Sequence, residues 1–293
     1  MWYSNKCLTR FFMNSAVVSV CFLLMALSGQ VLRAEIVKYA RFQIGDTVAY
    51  GIVEGDQIAE ISGDFFGDLS RTGNSVALAD VQLLAPTMPS KILNIAGNYL
   101  SHMGDTPPFT RPQPFLAPPS SVLEPGGTIE WLEGCTNLHY EGEMAVIIGK
   151  QCKRVSEAEV KDYVLGVCCA NDISEREWQN GATTNDGDVQ WWRGKGADTY
   201  SPFGPWITTG LDYNNLELIT RVNGEQVQHT NTSELIFGVD ALISFISQSM
   251  TLEPGDAVFT GTSGQTEAMN SGDITEVELE GNGILSNPVG FPA

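Results

Sequence analysis

The stretch NLHYEGEMAVIIGK, residues 137–150, shows a regular alternation that predicts a β-strand. His139, Glu141 and Glu143 stand at every second position, and residues 145–148 are apolar and partly β-branched. Because successive strand side chains point to opposite faces, the histidine and both glutamates are expected on one face, with the carboxylates about 7 Å apart. No lysine or arginine lies among them. This face is therefore either solvated, where acidic side chains are ordinary, or supplied with a compensating cation.

A third carboxylate follows the next apolar segment. YVLGVCCANDIS, residues 163–174, predicts a strand that ends at Asn171 and Asp172, where a turn begins. Placed beside Glu141 and Glu143, Asp172 would complete a cluster of oxygen ligands. Such a cluster suits a hard cation, namely Mg²⁺, Mn²⁺ or Ca²⁺. No second histidine or cysteine stands at ligand spacing, which argues against zinc.

The first 34 residues have the pattern of a cleavable secretory signal peptide. Lys6 and Arg10 precede residues 11–27, which carry no charge, and the small residue Ala34 ends the segment. The apolar run is short for a membrane span. The pattern predicts an exported protein, periplasmic or secreted, and an uncleaved anchor or a misassigned start codon is the alternative.

The overall charge is strongly acidic. The 293 residues carry a formal charge of −19, and without residues 1–34 there remain 13 basic and 35 acidic side chains, a charge of −22. This balance disfavours nucleic acid and anionic membrane as partners. The four remaining cysteines show no CxxC spacing and are too few for a disulfide framework. Cys168 and Cys169 stand in an apolar run, which favours buried free thiols.

The order of patterns predicts an α+β chain that is predominantly β. Residues 35–88 predict a small β-rich N-terminal region, and residues 89–293 form the main domain. A proline-dense loop at residues 107–125 is long enough to serve as a lid or an active-site wall. Helical pattern is confined to short segments, including VSEAEVKDYV, where Ser156 and Glu159 predict a capping box.

Six motifs in order resemble the fumarylacetoacetate hydrolase family over about two thirds of the chain, from residue 90 onward. The motifs are GNYLSHMGD (97–105), HYEGEMAVIIGK (139–150), ANDISEREWQ (170–179), WRGKGADTYSPFGPW (192–206), NTSELIF (231–237) and LEPGDAVFTGTSG (252–264). The resemblance implies the mixed β-sandwich or roll of that family. It also implies a homodimer and a small 2-oxo or β-diketo acid as substrate. The acidic charge predicts no nucleic-acid partner, and the signal pattern predicts a mature form outside the membrane.

The resemblance also implies roles for individual residues. Glu141, Glu143 and Asp172 match the metal triad, and Lys195 matches a lysine that holds substrate or a developing oxyanion. His102 is the expected base. Many relatives have a glutamate three residues after it, and here Asp105 takes that place. The expected substrate contacts are Thr260, Thr262 and Gln179, and His139 is expected to support Glu141.

Two departures from the family pattern bear on the substrate. Ala117 stands where many relatives have a lysine, and GQTEAMNSGD follows FTGTSG without the usual proline and glycine pattern.

The carboxylate cluster and the six motifs together predict a Mg²⁺- or Mn²⁺-dependent enzyme, with Ca²⁺ also possible, that cleaves a C–C bond in an acylpyruvate-like acid by hydrolysis.

Several alternatives stay open. The same site suits decarboxylation, hydration or isomerisation of a 2-oxo acid, because all proceed through an enolate. An exported protein that binds 2-oxo acids with little catalysis is an alternative of another class, and a purely structural Ca²⁺ domain would leave His102 and Lys195 idle.

Overall fold

The computed structural model of the protein describes residues 35–181 and 183–292, so the predicted signal segment, residues 1–34, lies outside the described residues. Strands dominate the described chain. The strands are, in chain order, β1 (Lys38–Ile44), β2 (Thr47–Glu54), β3 (Gln57–Gly63), β4 (Leu69–Ala77), β5 (Gln82–Leu84), β6 (Ile92–Ile95), β7 (Pro114–Ala117), β8 (Val122–Leu123), β9 (Ile129–Glu130), β10 (Leu138–His139), β11 (Gly142–Ile148), β12 (Val164–Asn171), β13 (Ser174–Glu175), β14 (Ser201–Thr208), β15 (Glu217–Val222), β16 (Glu225–Asn231), β17 (Ala257–Phe259), β18 (Ile274–Leu279) and β19 (Gly283–Gly290).

Helices are few and short. The α-helices are α1 (Leu100–Met103), α2 (Arg176–Asn180) and α3 (Val239–Ser249), and the 3₁₀ helices are Leu78–Asp80, Pro119–Ser121, Glu157–Asp162 and Thr232–Glu234. The predicted capping box forms, because the Ser156 backbone N–H donates to Glu159 Oε2 at 2.9 Å, although the segment that follows is a 3₁₀ helix. Within the described ranges no helix has the length and apolar character that crossing a membrane requires.

Two sheets form the body of the protein. The larger runs β4-β3-β2-β1-β14-β12-β11-β17-β6-β7, with β5 paired to β1 and β8 paired to β14. The second runs β16-β15-β18-β19-β9, and β10 and β13 form a separate two-stranded ladder. The N-terminal strands β1 to β5 thus belong to the same sheet as the central strands, through the antiparallel pairing of β1 with β14. The fold is predominantly β, as the sequence predicts.

Strand β11 lies in the middle of the structure and is buried on both faces. Met144 and Val146 join the core between the two sheets, where Leu242 of α3 also packs. Ala145 and Ile147 point the other way, into a core with Phe203 and Phe259 as its large members. Full burial of side chains of this size contributes about 1.5–3 kcal/mol each. Because Glu143 shares the face of Ala145, its carboxylate is placed in a buried environment.

The predicted strand at residues 137–150 is interrupted. Leu138 and His139 form β10, which pairs with β13, and the long strand β11 begins only at Gly142. Tyr140 and Glu141 between them belong to no strand. The alternation of side chains nevertheless brings the carboxylates of Glu141 and Glu143 within 4.8 Å of each other.

All four cysteines of the described chain are buried and free. Cys168 and Cys169 are adjacent on β12 and therefore face the two different cores of the sheet. This confirms the prediction of buried thiols for this pair. Burial is the main cause that raises the pKa of Cys169 to about 12.

Gly142 sets the distance between β11 and the second sheet at the position between the two glutamates. A Cβ atom added there would overlap the Thr220 hydroxyl and lie 3.1 Å from Thr220 Cβ. The Thr220 hydroxyl is buried without a hydrogen-bond partner among the described residues, so its removal would break no hydrogen bond. Close approach of the two sheets here therefore depends on glycine.

We expect Gly142→Ala to lower the free energy of unfolding by roughly 1–3 kcal/mol, because overpacking forces the sheets apart. Chemical denaturation measures this loss. In the double variant Gly142→Ala/Thr220→Ala most of the loss should disappear, since the clashing hydroxyl is gone, whereas Thr220→Ala alone should change stability little. Equal losses in the single and double variants would contradict this account.

Candidate active site

The ends of β11 and β12 bring two acidic residues side by side. Gly142 pairs with Asn171 at the last step of the antiparallel ladder, so Glu141 and Asp172 leave the two strands next to each other. Two hydrogen bonds hold this arrangement. The Asp172 N–H donates to the Glu141 carbonyl at 2.9 Å, and the Glu141 N–H donates to Asn171 Oδ1 at 2.8 Å.

Glu143 completes a buried cluster with these two residues. One carboxylate oxygen from each of Glu141, Glu143 and Asp172 lies within 4.8 Å of the other two. The three residues are 3%, 1% and 2% exposed, respectively. The solvated strand face considered above is therefore excluded, and the carboxylates need a partner for their charge.

Two cationic side chains of the protein balance part of this negative charge. Lys195 Nζ donates to Glu141 Oε2 at 2.5 Å and to Asp172 Oδ2 at 2.6 Å. Arg176 Nη2 donates to Glu141 Oε1 at 2.5 Å. Lys195 is itself buried, and although burial alone would lower its pKa, Asp172 and Glu141 raise it. The lysine is therefore a fixed positive charge at the centre of the cluster.

The acids differ in how well they are compensated. Burial favours the neutral form of Glu141, but Lys195 and Arg176 outweigh it and lower its pKa to about 2. Burial raises the pKa of Asp172 to about 7, because the charge of Glu141 adds to it while Lys195 opposes both. Glu143 has the least compensation for its charge. Burial, followed by the charges of Asp172 and Glu141, raises its pKa well above the usual range.

The donor set fits a divalent cation. Three carboxylates face two protein cations, so ionisation of all three would leave one buried negative charge that the surrounding side chains do not balance, which is why the pKa of Glu143 is raised. Glu143 Oε2 accepts one hydrogen bond, from the Gly261 N–H at 2.7 Å. Asn94 donates to Asp172 Oδ1 at 2.9 Å, while its own Oδ1 is buried without a partner among the described residues. An all-oxygen set with spare acceptor capacity suits Mg²⁺, Mn²⁺ or Ca²⁺.

His102 lies beside this cluster, but the predicted pairing with Asp105 does not form in the structure. His102 Nε2 lies 3.8 Å from Glu141 Oε1, and Nδ1 is hydrogen-bonded to the Gly264 carbonyl at 2.6 Å. Helix α1 ends at Met103, and Gly104 then adopts φ 56°. The chain therefore leaves the helix before Asp105, whose side chain is exposed. The spacing of three residues would bring the pair together only if the helix continued.

The three predicted substrate contacts have different surroundings. Thr262 and Gln179 both line the cavity beside the cluster. Thr260 does not, because it is fully buried and its hydroxyl donates to the Met144 carbonyl at 3.0 Å. Thr260 thus ties the segment FTGTSG, residues 259–264, to β11 and does not line the cavity that a substrate would enter.

Two other residues of the sequence analysis also lie elsewhere than expected. His139 bonds to Thr266 Oγ1 at 3.0 Å and to Asn137 Oδ1 at 2.9 Å, so its ring nitrogens are engaged with residues other than Glu141. Burial and the nearby Arg176 lower its pKa to about 4. Ala117 is buried in β7 and does not line the cavity.

The cavity has a volume of 520 Å³, and several of its lining residues have no role assigned from the sequence. Arg176 reaches Glu141 because α2 starts directly after β13. Glu175 fixes that start, since its carboxylate accepts from the Trp178 N–H at 2.6 Å and the Asn137 N–H at 2.7 Å. Phe109, Phe115 and Trp191 form apolar lining. For Phe109 and Phe115 the sequence offers one signal, their position in the proline-dense loop that is predicted as a possible active-site wall.

We expect Glu143→Gln to make the metal-free protein more stable near pH 7, because the raised pKa of Glu143 means that folding must protonate this buried carboxyl group, and the amide removes that cost. The gain is about 1 kcal/mol, or about 2–4 °C in Tm after treatment with EDTA. Saturating Mn²⁺ should raise the Tm of the original protein and leave that of the variant nearly unchanged. The exposed Glu225 provides a matched control, since Glu225→Gln should alter neither value. A lower Tm for metal-free Glu143→Gln would contradict the charge imbalance.

Comparison with known proteins identifies the family. Residues 91–290 match the fumarylacetoacetate (FAA) hydrolase C-terminal family, and residues 37–86 match the Rv2993c-like N-terminal family. The chain is 35% identical over 224 residues to the mitochondrial oxaloacetate tautomerase fahd2 of Xenopus laevis, covering 72% of this chain and 69% of that protein.

Solved structures agree with this assignment. The fold superposes on 2-hydroxyhepta-2,4-diene-1,7-dioate isomerase from Mycobacterium marinum with a TM-score of 0.80 and 38% identity, covering 88% of this chain and 99% of that one. It also matches maleylpyruvate hydrolase from Sphingobium sp. SYK-6 in complex with manganese(II) and pyruvate, with a TM-score of 0.71, 28% identity and coverages of 87% and 100%. The chain belongs to the fumarylacetoacetate hydrolase family.

Proposed function

We propose that this protein is a divalent-metal-dependent hydrolase that cleaves a C–C bond in a small β-diketo acid of the acylpyruvate type. One observation carries the proposal: the buried carboxylates of Glu141, Glu143 and Asp172 cluster around Lys195, and Glu141, Lys195 and His102 line a cavity of 520 Å³. Acids, a base and a buried cation around one space supply the groups that enolate chemistry requires.

Glu141, Glu143 and Asp172 are the residues that would hold the ion, Mg²⁺ or Mn²⁺. A divalent ion there would supply Lewis acidity toward the oxygen atoms of the substrate head and would balance the excess negative charge. The related maleylpyruvate hydrolase is known with manganese and pyruvate. Pyruvate is the 2-oxo acid unit common to acylpyruvates, which supports a substrate head of this type.

Lys195 and Arg176 are suited to hold negative charge on the substrate. Both lie against the carboxylate cluster, and Lys195 is 4% exposed, so its charge acts in surroundings with little water. An ammonium group fixed in this way stabilises an oxyanion without reorganising during the reaction. Negative charge that develops on the 2-oxygen of the substrate would therefore be held by Lys195.

His102 is suited to move the proton. Its Nδ1 is engaged by the Gly264 carbonyl, which fixes Nδ1 as the protonated nitrogen and leaves Nε2 free as the base. Nε2 takes a proton from water, and the water oxygen forms a bond to the distal carbonyl carbon. The bond between that carbon and C3 then breaks, its electron pair passes to the 2-oxo acid fragment as an enolate, and the proton passes from Nε2 to C3 of that fragment. The products are a carboxylic acid and a 2-oxo acid.

Isomerisation or tautomerisation of a 2-oxo acid is the second candidate, and one observation favours it. His102 is held by a neutral carbonyl and not by the Asp105 carboxylate, which is a weaker arrangement for activating water. Moving a proton between carbon and oxygen needs only one such base. The isomerase from Mycobacterium marinum and the tautomerase from Xenopus laevis, at 38% and 35% identity, are more similar to this chain than the maleylpyruvate hydrolase at 28%.

The two reactions are separated by isotope incorporation into the products of 2,4-dioxopentanoate and oxaloacetate, with Mn²⁺ present. Hydrolysis places one ¹⁸O from labelled water in the released carboxylic acid. Isomerisation or tautomerisation exchanges deuterium into C3 and leaves the carbon skeleton intact. Tight binding with neither product would instead support an exported binding protein and would overturn the proposed enzyme.

We expect His102→Gln to lower kcat by roughly 10²–10⁴-fold, because the base is lost while the carboxylate cluster remains. Titration with Mn²⁺ should show nearly unchanged metal affinity. His229→Gln is the matched control: His229 lies on β16, where its Nε2 bonds to the exposed Glu217, and its loss should leave kcat within about twofold. Equal activity of both variants would remove His102 from the mechanism.

The proposal includes export of the mature chain, on the basis of the charged, apolar and small residues in segment 1–34. We expect N-terminal sequencing of the protein recovered outside the cytoplasm to begin at Glu35. Leu23→Arg should retain the protein in the cytoplasm at full length, because a charge interrupts the apolar region. Cytoplasmic accumulation of both proteins with Met1 intact would contradict export.

A further inference from the structure

We infer that the acid bound in this cavity carries an apolar tail, alkyl or aryl, opposite its 2-oxo acid head, and not a second carboxylate. The inference rests on the proposed function, in which the head site, made of the carboxylate cluster with Lys195 and Arg176, binds the 2-oxo acid head. It adds the chemical class of the tail. It departs from the substrates in the names of the related proteins, since oxaloacetate and a 1,7-dioate both carry two carboxylates.

The cations that line the cavity are committed to the head end. Lys195 is bonded to Glu141 and Asp172. Arg176 is bonded through Nη2 to Glu141 and to Thr266 Oγ1 at 2.8 Å, and through Nη1 to Gln179 Oε1 at 2.8 Å. Among the described residues that line the cavity there is no other lysine or arginine. A distal carboxylate therefore finds no free cation.

An apolar wall begins directly beside the head site. The Lys195 ammonium lies 5.6 Å from the centre of the Phe115 ring, so the charged cluster and the apolar surface are direct neighbours. The Phe115 ring in turn packs edge-on against Trp191, with centroids 5.1 Å apart and an interplanar angle of 80°. Both rings are partly exposed to the cavity, so their surface is available to a ligand.

Met103 and Phe109 continue the apolar lining from the segment after β6. Both pack closely against Gly97. A Cβ atom added at this position would lie 2.5 Å from Met103 Sδ and 2.8 Å from the Phe109 ring. Gly97 adopts φ 59°, a conformation that favours glycine. Phe109 nevertheless remains 40% exposed. A large apolar ring that is held in place and left open to a cavity gains free energy when an apolar group covers it.

These surroundings discriminate between the two kinds of tail. A second carboxylate placed among Phe115, Trp191 and Phe109 would lose water without gaining an ion pair, which is costly. An alkyl or phenyl group in the same place removes apolar surface from water on both sides. The difference is large enough to be measured as an affinity ratio of at least about tenfold.

The test compares two ligands of equal length that share one head: 2,4-dioxooctanoate, with an alkyl tail, and 2,4-dioxooctanedioate, with a carboxylate at the tail end. Calorimetric titration onto Mn²⁺-loaded His102→Gln protein measures binding without turnover. Steady-state kinetics on the original protein give kcat/KM for the same pair. We expect the alkyl ligand to bind at least about tenfold more tightly and to be the better substrate.

Phe109→Arg is the informative variant, since it places a guanidinium at the apolar wall. It should reduce the preference for the alkyl ligand by at least about tenfold, and Phe109→Ala should reduce it without favouring the carboxylate. Phe291→Arg, at an exposed phenylalanine outside the cavity lining, is the control and should leave the preference unchanged. Unchanged Mn²⁺ affinity and Tm show that each variant is folded.

The outcomes separate this inference from the proposed function. Preferential binding of the alkyl ligand without C–C cleavage would refute the hydrolase and retain the apolar tail. Equal or tighter binding of the dioate, or its faster cleavage, would overturn the apolar tail and leave the hydrolase intact. If neither ligand binds, both proposals fail. An unchanged preference in Phe109→Arg would also overturn the inference, because the wall would then not contact the tail.

Discussion

The rest of the site depends on one electrostatic constraint, the burial of three carboxylates around a single point. The fold buries Glu141, Glu143 and Asp172 almost completely and provides two cations, Lys195 and Arg176, against them. If all three carboxylates ionise, one negative charge is left over. Burial of uncompensated charge is among the more costly features that a protein can retain. The burial of this cluster, with Glu141 on the wall of the cavity, is the physical reason to propose a divalent ion at this place.

The two-sheet architecture explains how the protein tolerates this cost. Strand β11 is buried on both faces by large apolar cores, and its hydrogen bonds to β12 and β17 hold its ends in register. The backbone at Glu141 is further tied to Asn171 and Asp172. The repulsion among the carboxylates is therefore opposed by many contacts that lie outside the site, so the acids cannot separate without disrupting the central sheet.

Charge and apolar surface divide the cavity into two chemically distinct ends. Lys195 belongs to both, since it bonds to the carboxylates and lies over the Phe115 ring. A ligand with an anionic head and an apolar tail matches this division in one orientation only. The carboxylate cluster, Lys195 and Arg176 form the charged end, whereas Phe109, Phe115 and Trp191 form the apolar end. A division of this kind allows the chemistry at one end of a site to be kept while residues at the other end change which ligand fits.

The amino-acid sequence by itself determined the predominance of strands, the buried thiols of β12 and the three acids of the cluster. Period-two alternation decides which side chains share a face, and that rule depends on local geometry alone. It failed at Tyr140, where the predicted strand breaks because β10 pairs with β13 and not with β12. The contact of His102 with Gly264, the burial of Thr260 and the approach of Arg176 to Glu141 were decided only by the tertiary structure. Each joins residues 35 to 162 positions apart, and long-range contacts of this kind leave no periodic pattern in the chain.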